Sequence, residues 1–339
     1  MKKVLVTGGA GFIGSHTVVE LAKAGYEPVI VDNFCNSEKK VIEQLNAITG
    51  LTLRHYELDC TDYDAFKKVF EAETLAGVIH FAAYKAVGES VKSPLKYYHN
   101  NIGSMTVLMR LMKEFDVQAL IFSSSCTVYG EPDKLPVTEA TPIQPATSPY
   151  GFTKQVCEQM INDTVASGGA LKACTLRYFN PIGAHPSSRI GELPLGTPEN
   201  LIPYVTQTAI GIREQLTVFG DDYNTTDGSC IRDYIHVVDL ADAHVKALAW
   251  LEKQSTTSLN EVFNVGTGKG DSVLEVINSF MEVNDVQLNY RIGPKRAGDV
   301  EQIYASVEKA NQVIGWTARF SLEDALRDAW NWQKALEKA

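Results

Sequence analysis

Apolar positions follow two rhythms along the first half of the chain. Short runs rich in β-branched residues predict strands at Val4–Thr7, Pro28–Val31, Leu51–Leu58, Gly77–Ala82, Ala119–Ser123 and Ala173–Tyr178. Between them, helical spacing of apolar residues predicts helices at Ile13–Ala24, Asp62–Phe70, Leu95–Lys113 and Tyr150–Ser167. Strands and helices alternating at these lengths imply right-handed βαβ units, hence an α/β, doubly wound parallel sheet.

The rhythm changes near Asn180. Pro181–Asn200 is rich in proline and glycine and predicts a loop. Shorter elements follow: helices at Leu201–Ile210, Val237–Leu251, Val273–Met281 and Leu322–Leu336, and extended runs at Gln215–Phe219 and Glu261–Val265. A soft boundary near residue 180 is expected, with the chain crossing between the two parts.

Composition narrows the class. The chain has 339 residues, with 31 Lys and Arg against 41 Asp and Glu, a formal charge of −10. An acidic chain with no long basic run is a poor general nucleic-acid binder. Its six cysteines are scattered without zinc-ligand spacing, which indicates reduced thiols and no metal. The apolar start at Met1–Val6 stops at Gly8-Gly9 with no cleavage pattern, so it reads as a strand and not a signal peptide. No run approaches the roughly 20 apolar residues that span a bilayer. A cytoplasmic location is expected.

Candidate chemistry begins at Gly8, Gly11 and Gly14, spaced G-x-x-G-x-x-G between the first strand and the first helix. Glycines there permit a tight turn and close approach of backbone N–H groups to a pyrophosphate. The helix N-terminus adds favourable potential for that anion. Strand–turn–helix context makes this a Rossmann-type dinucleotide loop and not merely a flexible turn. Asp32 ends the second strand, 18 residues after Gly14. A carboxylate there accepts ribose hydroxyls and repels a 2′-phosphate, favouring NAD over NADP. Asp59, ending the third strand, either reaches the adenine or caps the following helix.

Tyr150 and Lys154 form Y-x-x-x-K at a helix start, which puts the phenol and the ammonium on one face. A phenol titrates near 10, so a nearby Lys⁺ and a positive nicotinamide are needed to favour the phenolate as a general base. Ser123-Ser124-Ser125 closes the fifth strand, at the sheet edge where such folds present their sites. One of these hydroxyls can bond a substrate oxygen beside Tyr150; the alternative is a plain strand-end serine cluster.

Three further motifs are more specific: His80-Phe81-Ala82-Ala83-Tyr84-Lys85-Ala86-Val87-Gly88-Glu89-Ser90, Tyr178-Phe179-Asn180-Pro181-Ile182-Gly183-Ala184-His185 and Arg232-Asp233-Tyr234-Ile235-His236-Val237-Val238-Asp239. With the glycine loop, Asp32, the serines and Tyr150/Lys154, they resemble the extended short-chain dehydrogenase/reductase family, in its UDP-hexose 4-epimerase branch. The resemblance runs from residue 1 to about residue 335.

That resemblance implies an NAD-binding part over 1–180 and a smaller α/β UDP-sugar-binding part over 181–339. It implies that Gly8, Gly11, Phe12, Ile13, Gly14, Asp32, Asn33, Asn36, Ser37, Asp59, Cys60, Phe81, Ala82, Lys85, Asn100, Tyr150, Lys154 and Phe179 hold NAD. Ser125, Tyr150 and Lys154 would be catalytic. Lys85, Ser125, Tyr150, Asn180, Asn200, Leu201, Arg232, Arg296 and Asp299 would hold the UDP-sugar. Arginines suit a diphosphate because they offer planar, charge-assisted hydrogen bonds; the bland alternative for Arg232 and Arg296 is ordinary ion pairs. His185 and His236 resemble acid–base residues, but structural roles are expected. The implied substrates are UDP-galactose and UDP-glucose, exchanged through a 4-keto sugar with NAD kept in place.

Two positions depart from the family. Cys126 follows Ser125 where many relatives carry alanine. Ile303 falls where residue size sets room for an N-acetyl group, leaving UDP-N-acetylhexosamines open. Rival readings are a UDP-glucuronate 4-epimerase, a 4,6-dehydratase and a non-catalytic NAD sensor on the same fold. Cys126-Thr127 lacks the acid–base pair that dehydration needs, and intact Ser125, Tyr150 and Lys154 disfavour the sensor. The resemblance also implies a homodimer through the helices Leu95–Lys113 and Tyr150–Ser167. The stripe Tyr98, Ile102, Met105, Leu108, Met109 and Met112 either serves that interface or packs on the sheet.

Overall fold

The structure is a computed structural model describing residues 1–296 and 299–337. The undescribed residues, 297–298 and 338–339, fall inside the part expected from 181 to 339. The first half builds β1 (Lys3–Thr7), α1 (Phe12–Lys23), β2 (Glu27–Asp32), α2 (Lys40–Thr49), β3 (Arg54–Glu57), α3 (Tyr63–Ala72) and β4 (Leu75–His80). Then come α4 (Val87–Lys92), α5 (Pro94–Tyr97), a π-helical turn (Tyr98–Ile102), α6 (Gly103–Glu114), β5 (Ala119–Ser125), α7 (Pro149–Ala166) and β6 (Lys172–Tyr178). The expected helix Leu95–Lys113 is thus a near-continuous run carrying one wide turn. The expected strand Leu51–Leu58 shrinks to β3, whose side chains are largely exposed because it is the sheet's outer edge.

The second half contributes β7 (Asn180–Ile182), α8 (Leu201–Ala209), β8 (Leu216–Phe219), β9 (Ile231–Arg232), β10 (Tyr234–His236), α9 (Val237–Leu251) and β11 (Leu259–Val265). It ends with β12 (Asp271–Ser272), α10 (Val273–Asn284), β13 (Tyr290–Gly293), β14 (Gln302–Ile303), α11 (Glu308–Ile314) and α12 (Leu322–Leu336). The loop expected over Pro181–Asn200 starts within β7, which pairs in parallel with β10.

Among the described residues, seven parallel strands form the main sheet in the order β11-β6-β5-β4-β1-β2-β3. Strand alternation sends side chains to two separate cores. Val4, Val6, Ile30, Ile79 and Ile121 face one core with α1, α2, α9 and α11. Leu5, Val29, Val31, Val78, Leu120 and Phe122 face the other with α3, α6 and α7. Both faces are covered, which is why the strands read as nearly unbroken apolar runs. The chain returns to this sheet after residue 180, since β11 extends its edge and α9 packs beside α1. A separate core joins α8, β8, α10 and α12. The main sheet reverses its strand order between β1 and β4, the switch point at whose carboxyl edge folds of this kind bind their ligands.

Three histidines are sealed in these cores. In His16 and His244 the Nδ1–H donates to the carbonyl four residues earlier, and Nε2 has no partner. Burial lowers His16 and His80 to about 3 and His244 to about 4. Unfolded, each titrates near 6.5, so below that pH the unfolded chain binds more protons and stability falls as pH falls. The three together give a slope of up to about 4 kcal/mol per pH unit around pH 5. Urea unfolding between pH 7 and 4.5 checks this; a flat midpoint across that window would contradict it.

Candidate active site

The dinucleotide crevice starts at the β1–α1 turn. Gly8 has φ +68°, and a Cβ there would meet the Ala82 nitrogen at 2.9 Å. A Cβ on Gly14 would stand 2.1 Å from the Gly8 carbonyl oxygen. Side chains are therefore excluded where the first helical turn crosses the loop. Gly11 caps α1 without a side-chain hydrogen bond, and the first turn holds no acidic residue. The opening N–H groups of α1 thus keep their capacity for an anion.

Asp32 closes β2 beside this turn. One carboxylate oxygen takes the Ala10 N–H at 3.0 Å; the other takes the Phe34 N–H and the Ser37 hydroxyl. Asp32 therefore braces the glycine loop as well as facing the crevice. Asp59 accepts from the Thr61 N–H and hydroxyl and from Asn33. Burial alone would raise its pKa, but these bonds hold it below the usual carboxylate range. The helix-cap alternative for Asp59 is corrected: Asp62 caps α3, accepting from the Ala65 N–H.

Phe81, Ala82 and Lys85 follow β4, and Asn100 sits in the π-helical turn, a deviation frequent at functional sites. Asn36 is exposed on the loop after β2. The Cys60 thiol is buried in the core facing α3 and α6, and burial pushes its pKa far up, so only its backbone can serve the crevice. The Phe179 ring packs with Val128, Tyr129, Val137, Ile303 and Ala305.

Ser125 ends β5, and Tyr150 and Lys154 open α7, which Ser148 caps at the Gly151 N–H. The Lys154 ammonium donates to the Ser123 carbonyl at 2.5 Å and stands 5.9 Å from the Tyr150 ring centre. Burial lowers Lys154 to about 8, opposed by Cys157 and Glu158. Burial raises Tyr150 to about 12, while the Ser125 hydroxyl pulls it down and Cys126 pushes it up. The chain's own groups thus keep the phenol protonated at neutral pH. Ionising it requires a further positive charge beside the ring.

In the second half, β9 places Arg232 in register with Ile303 of β14. The Arg232 guanidinium donates to the carbonyls of Ile231 and Glu301 and makes no ion pair among the described residues. Arg296 stacks 4.8 Å over the Phe219 ring and forms a two-pronged pair with Asp299. Lys85 and Asn200 both reach one oxygen of Glu192, at 3.2 and 2.5 Å. Leu201 opens α8 and Asn180 opens β7. The short strands bring Asn180 beside Asp233 and Tyr234, and Arg232 beside Ile303.

The Arg232–Asp239 motif is mainly architectural. Asp233 is buried and accepts from the N–H groups of Thr267, Gly268 and Ala305 and from the Thr267 hydroxyl. His236 Nδ1 caps α9 at the Val238 N–H, leaving Nε2–H to donate to Asp328. Asp239 accepts from the N–H groups of Arg319 and Phe320. His185 accepts from the Ser187 N–H at Nδ1.

Sequence reasoning missed several residues at this site. Asn101 joins the segment after β4 to α7, bonding both backbone groups of Tyr84 and the Thr153 hydroxyl. Its signal was an amide on an apolar helix face. Glu158 lies one turn beyond Lys154 and pairs with Arg177; the i+4 spacing was visible. Phe219 gave no signal, because its role depends on Arg296 lying over it.

A dinucleotide cradle, an edge serine and a Tyr–Lys pair on one helix define a nicotinamide-dependent enzyme of the short-chain dehydrogenase/reductase class. The chain belongs to the NAD dependent epimerase/dehydratase family, whose model matches residues 4–266. It is 49% identical over 332 residues to a UDP-glucose 4-epimerase from Bacillus subtilis, covering 98% of this chain and 97% of that one. It is 47% identical over 340 residues to the Mus musculus UDP-glucose 4-epimerase, with coverage of 98% and 97%. Among solved structures, a Stenotrophomonas maltophila UDP-glucose 4-epimerase with bound NAD and formylated UDP-arabinopyranose superposes with TM-score 0.96 at 47% identity, covering 100% and 99%. One from Bifidobacterium longum in complex with NAD+ and UDP gives TM-score 0.94 at 44% identity, covering 98% of each chain.

Proposed function

We propose that this protein interconverts UDP-galactose and UDP-glucose by inverting C4 of the sugar through a 4-keto intermediate. What carries the proposal is likeness along 98% of the chain to proteins named UDP-glucose 4-epimerase. The glycine cradle, the open start of α1 and Asp32 suit NAD, which when bound supplies a hydride acceptor and donor and a positive ring. That charge favours the Tyr150 phenolate, against the desolvation that raises the phenol above its ordinary value. Tyr150 takes the proton of the 4-hydroxyl, Ser125 bonds the same oxygen, and Tyr150 returns the proton to the C4 oxygen once the hexose has turned its opposite face to the cofactor side. Arg232, Arg296 and Asp299 hold the UDP end while the hexose turns. Few side chains are committed to the sugar, and inversion requires that looseness.

The test is conversion of UDP-galactose by purified protein with no added NAD, reading UDP-glucose through a coupled dehydrogenase after quenching. Product at a rate proportional to enzyme supports the proposal. No product even with added NAD overturns it and turns attention to UDP-glucuronate, UDP-N-acetylhexosamines and a sensor role.

We further assign a cytoplasmic location and a homodimer. All six cysteines are free, as a reducing compartment requires, and among the described residues no helix is long and apolar enough to cross a membrane. The apolar stripe divides: Met105, Leu108 and Met112 are buried on the sheet, while Tyr98, Ile102 and Met109 stay partly exposed. Nearby, Leu95 is 78% and Phe152 47% exposed. Such a face favours a second copy. Light scattering at micromolar concentration is expected to give twice the 37.3 kDa chain mass, and Phe152→Glu to return it to one.

A further inference from the structure

Tyr150, Lys154 and Glu158 lie at i, i+4 and i+8 on α7, so the phenol, the ammonium and a carboxylate form one stripe. Lys154 and Glu158 are both about 5% exposed. The Glu158 carboxylate receives Arg177 on both oxygens, at 3.0 and 2.6 Å, and also the Ser124 hydroxyl. Arg177 continues to the Tyr129 hydroxyl at 3.1 Å, which donates to Asn264 of β11 at 2.6 Å.

Ser124 sits between the two residues on which the site depends. The Ser123 carbonyl holds the Lys154 ammonium, and Ser125 supplies the hydroxyl beside Tyr150. Strand alternation turns the Ser124 side chain away from those of its neighbours, toward Glu158. One carboxylate therefore ties the end of β5 to the helix that carries the base. It is also the negative charge on the Lys154 stripe.

The other groups around Lys154 are neutral or cationic. Cys157 on α7 is a buried thiol raised to about 11, and His80 on β4 is lowered to about 3. Tyr178 on β6 and Tyr129 after β5 are buried phenols raised by burial. Cys126 is raised to about 12. Arg177 on β6 is cationic, and the Phe122 ring lies 5.0 Å from the ammonium.

We propose that Glu158 is a positioning residue for the epimerisation: it holds the end of β5 in register with Tyr150 and keeps the Lys154 ammonium charged. No atom of Glu158 reaches the reacting groups; it acts through Ser124 and Lys154. The proposal rests on the function given above.

The test measures kcat and KM for UDP-galactose from pH 6 to 10 in NAD-loaded enzyme. Wild-type activity is the control, so an inactive wild type sinks the function and not this assignment. Glu158→Gln keeps the shape but removes the charge and leaves Arg177 uncompensated. Both changes disfavour the protonated lysine, so the alkaline limb of kcat is expected to fall by about one pH unit or more. Glu158→Asp keeps the charge and is expected to retain the wild-type limb even if it melts earlier. Ser124→Ala leaves the ion pair intact and is expected to lower kcat about tenfold with KM within about twofold. If Glu158→Gln does not fold, Ser124→Ala decides alone. An unshifted limb in folded Glu158→Gln, or wild-type kcat in Ser124→Ala, overturns the proposal.

Discussion

Tyr150→Phe is expected to lower kcat for UDP-galactose epimerisation by about 10²–10⁴-fold, the usual worth of a positioned general base. The substitution removes one oxygen and leaves the ring in its place. Lys154 keeps its bond to the Ser123 carbonyl, and the Ser148 cap of α7 is untouched. The groups proposed to hold UDP, Arg232 on β9 and Arg296 and Asp299 after β13, are untouched by the change, so KM should stay within a few-fold. The acid limb of the pH profile should disappear as well. In the wild type, activity rises with pH as the phenol ionises, and phenylalanine has nothing to ionise. Steady-state kinetics from pH 6 to 9 decide the matter. A variant keeping a tenth of wild-type kcat would place the base elsewhere.

The next largest effect is expected from Gly14→Ala. Its Cβ would fall 2.1 Å from the Gly8 oxygen and 2.9 Å from the Gly8 carbonyl carbon and the Gly9 Cα. All three are backbone atoms, so no rotamer change relieves the clash. Either the loop or the first turn of α1 must move, and either motion opens the close approach that a pyrophosphate needs. Overpacking of this kind costs about 1–3 kcal/mol or more. NAD carried through gel filtration should fall at least about tenfold, with melting several degrees lower. Gly11→Ala is the matched control, since its Cβ would meet the same oxygen at 3.2 Å and its φ of −73° suits alanine. Wild-type NAD content and melting in Gly14→Ala would refute the argument.

Local signals made much of the site legible. The helices Val237–Leu251 and Leu322–Leu336 follow their apolar spacing to the residue. The glycine loop, Asp32, the serine cluster Ser123–Ser125, Tyr150 and Lys154 could be singled out as candidates because each belongs to a strand end or a helix start whose geometry local sequence dictates; the choice of Ser125 among the three came from the family resemblance. Strands such as β9, β12 and β14 were not legible, because two residues carry no period. The return of β11 to the main sheet was foreseen only as a crossover, since strand pairing is a choice among distant partners.

The sequence by itself determined the alternating α/β architecture, the dinucleotide loop and the Tyr–Lys pair. These depend on side-chain period, glycine freedom and i, i+4 spacing, all set within a few residues. Tertiary structure alone decided the rest. It gave Asp62 and not Asp59 the helix cap, and laid Arg296 over Phe219. It joined Glu158 to Ser124 and Arg177, and packed enough of the chain around the half-buried Tyr150 to push its phenol upward by desolvation. Each of those depends on which distant groups share a small volume and how much water they exclude, and burial and charge pairing arise only once the chain has folded.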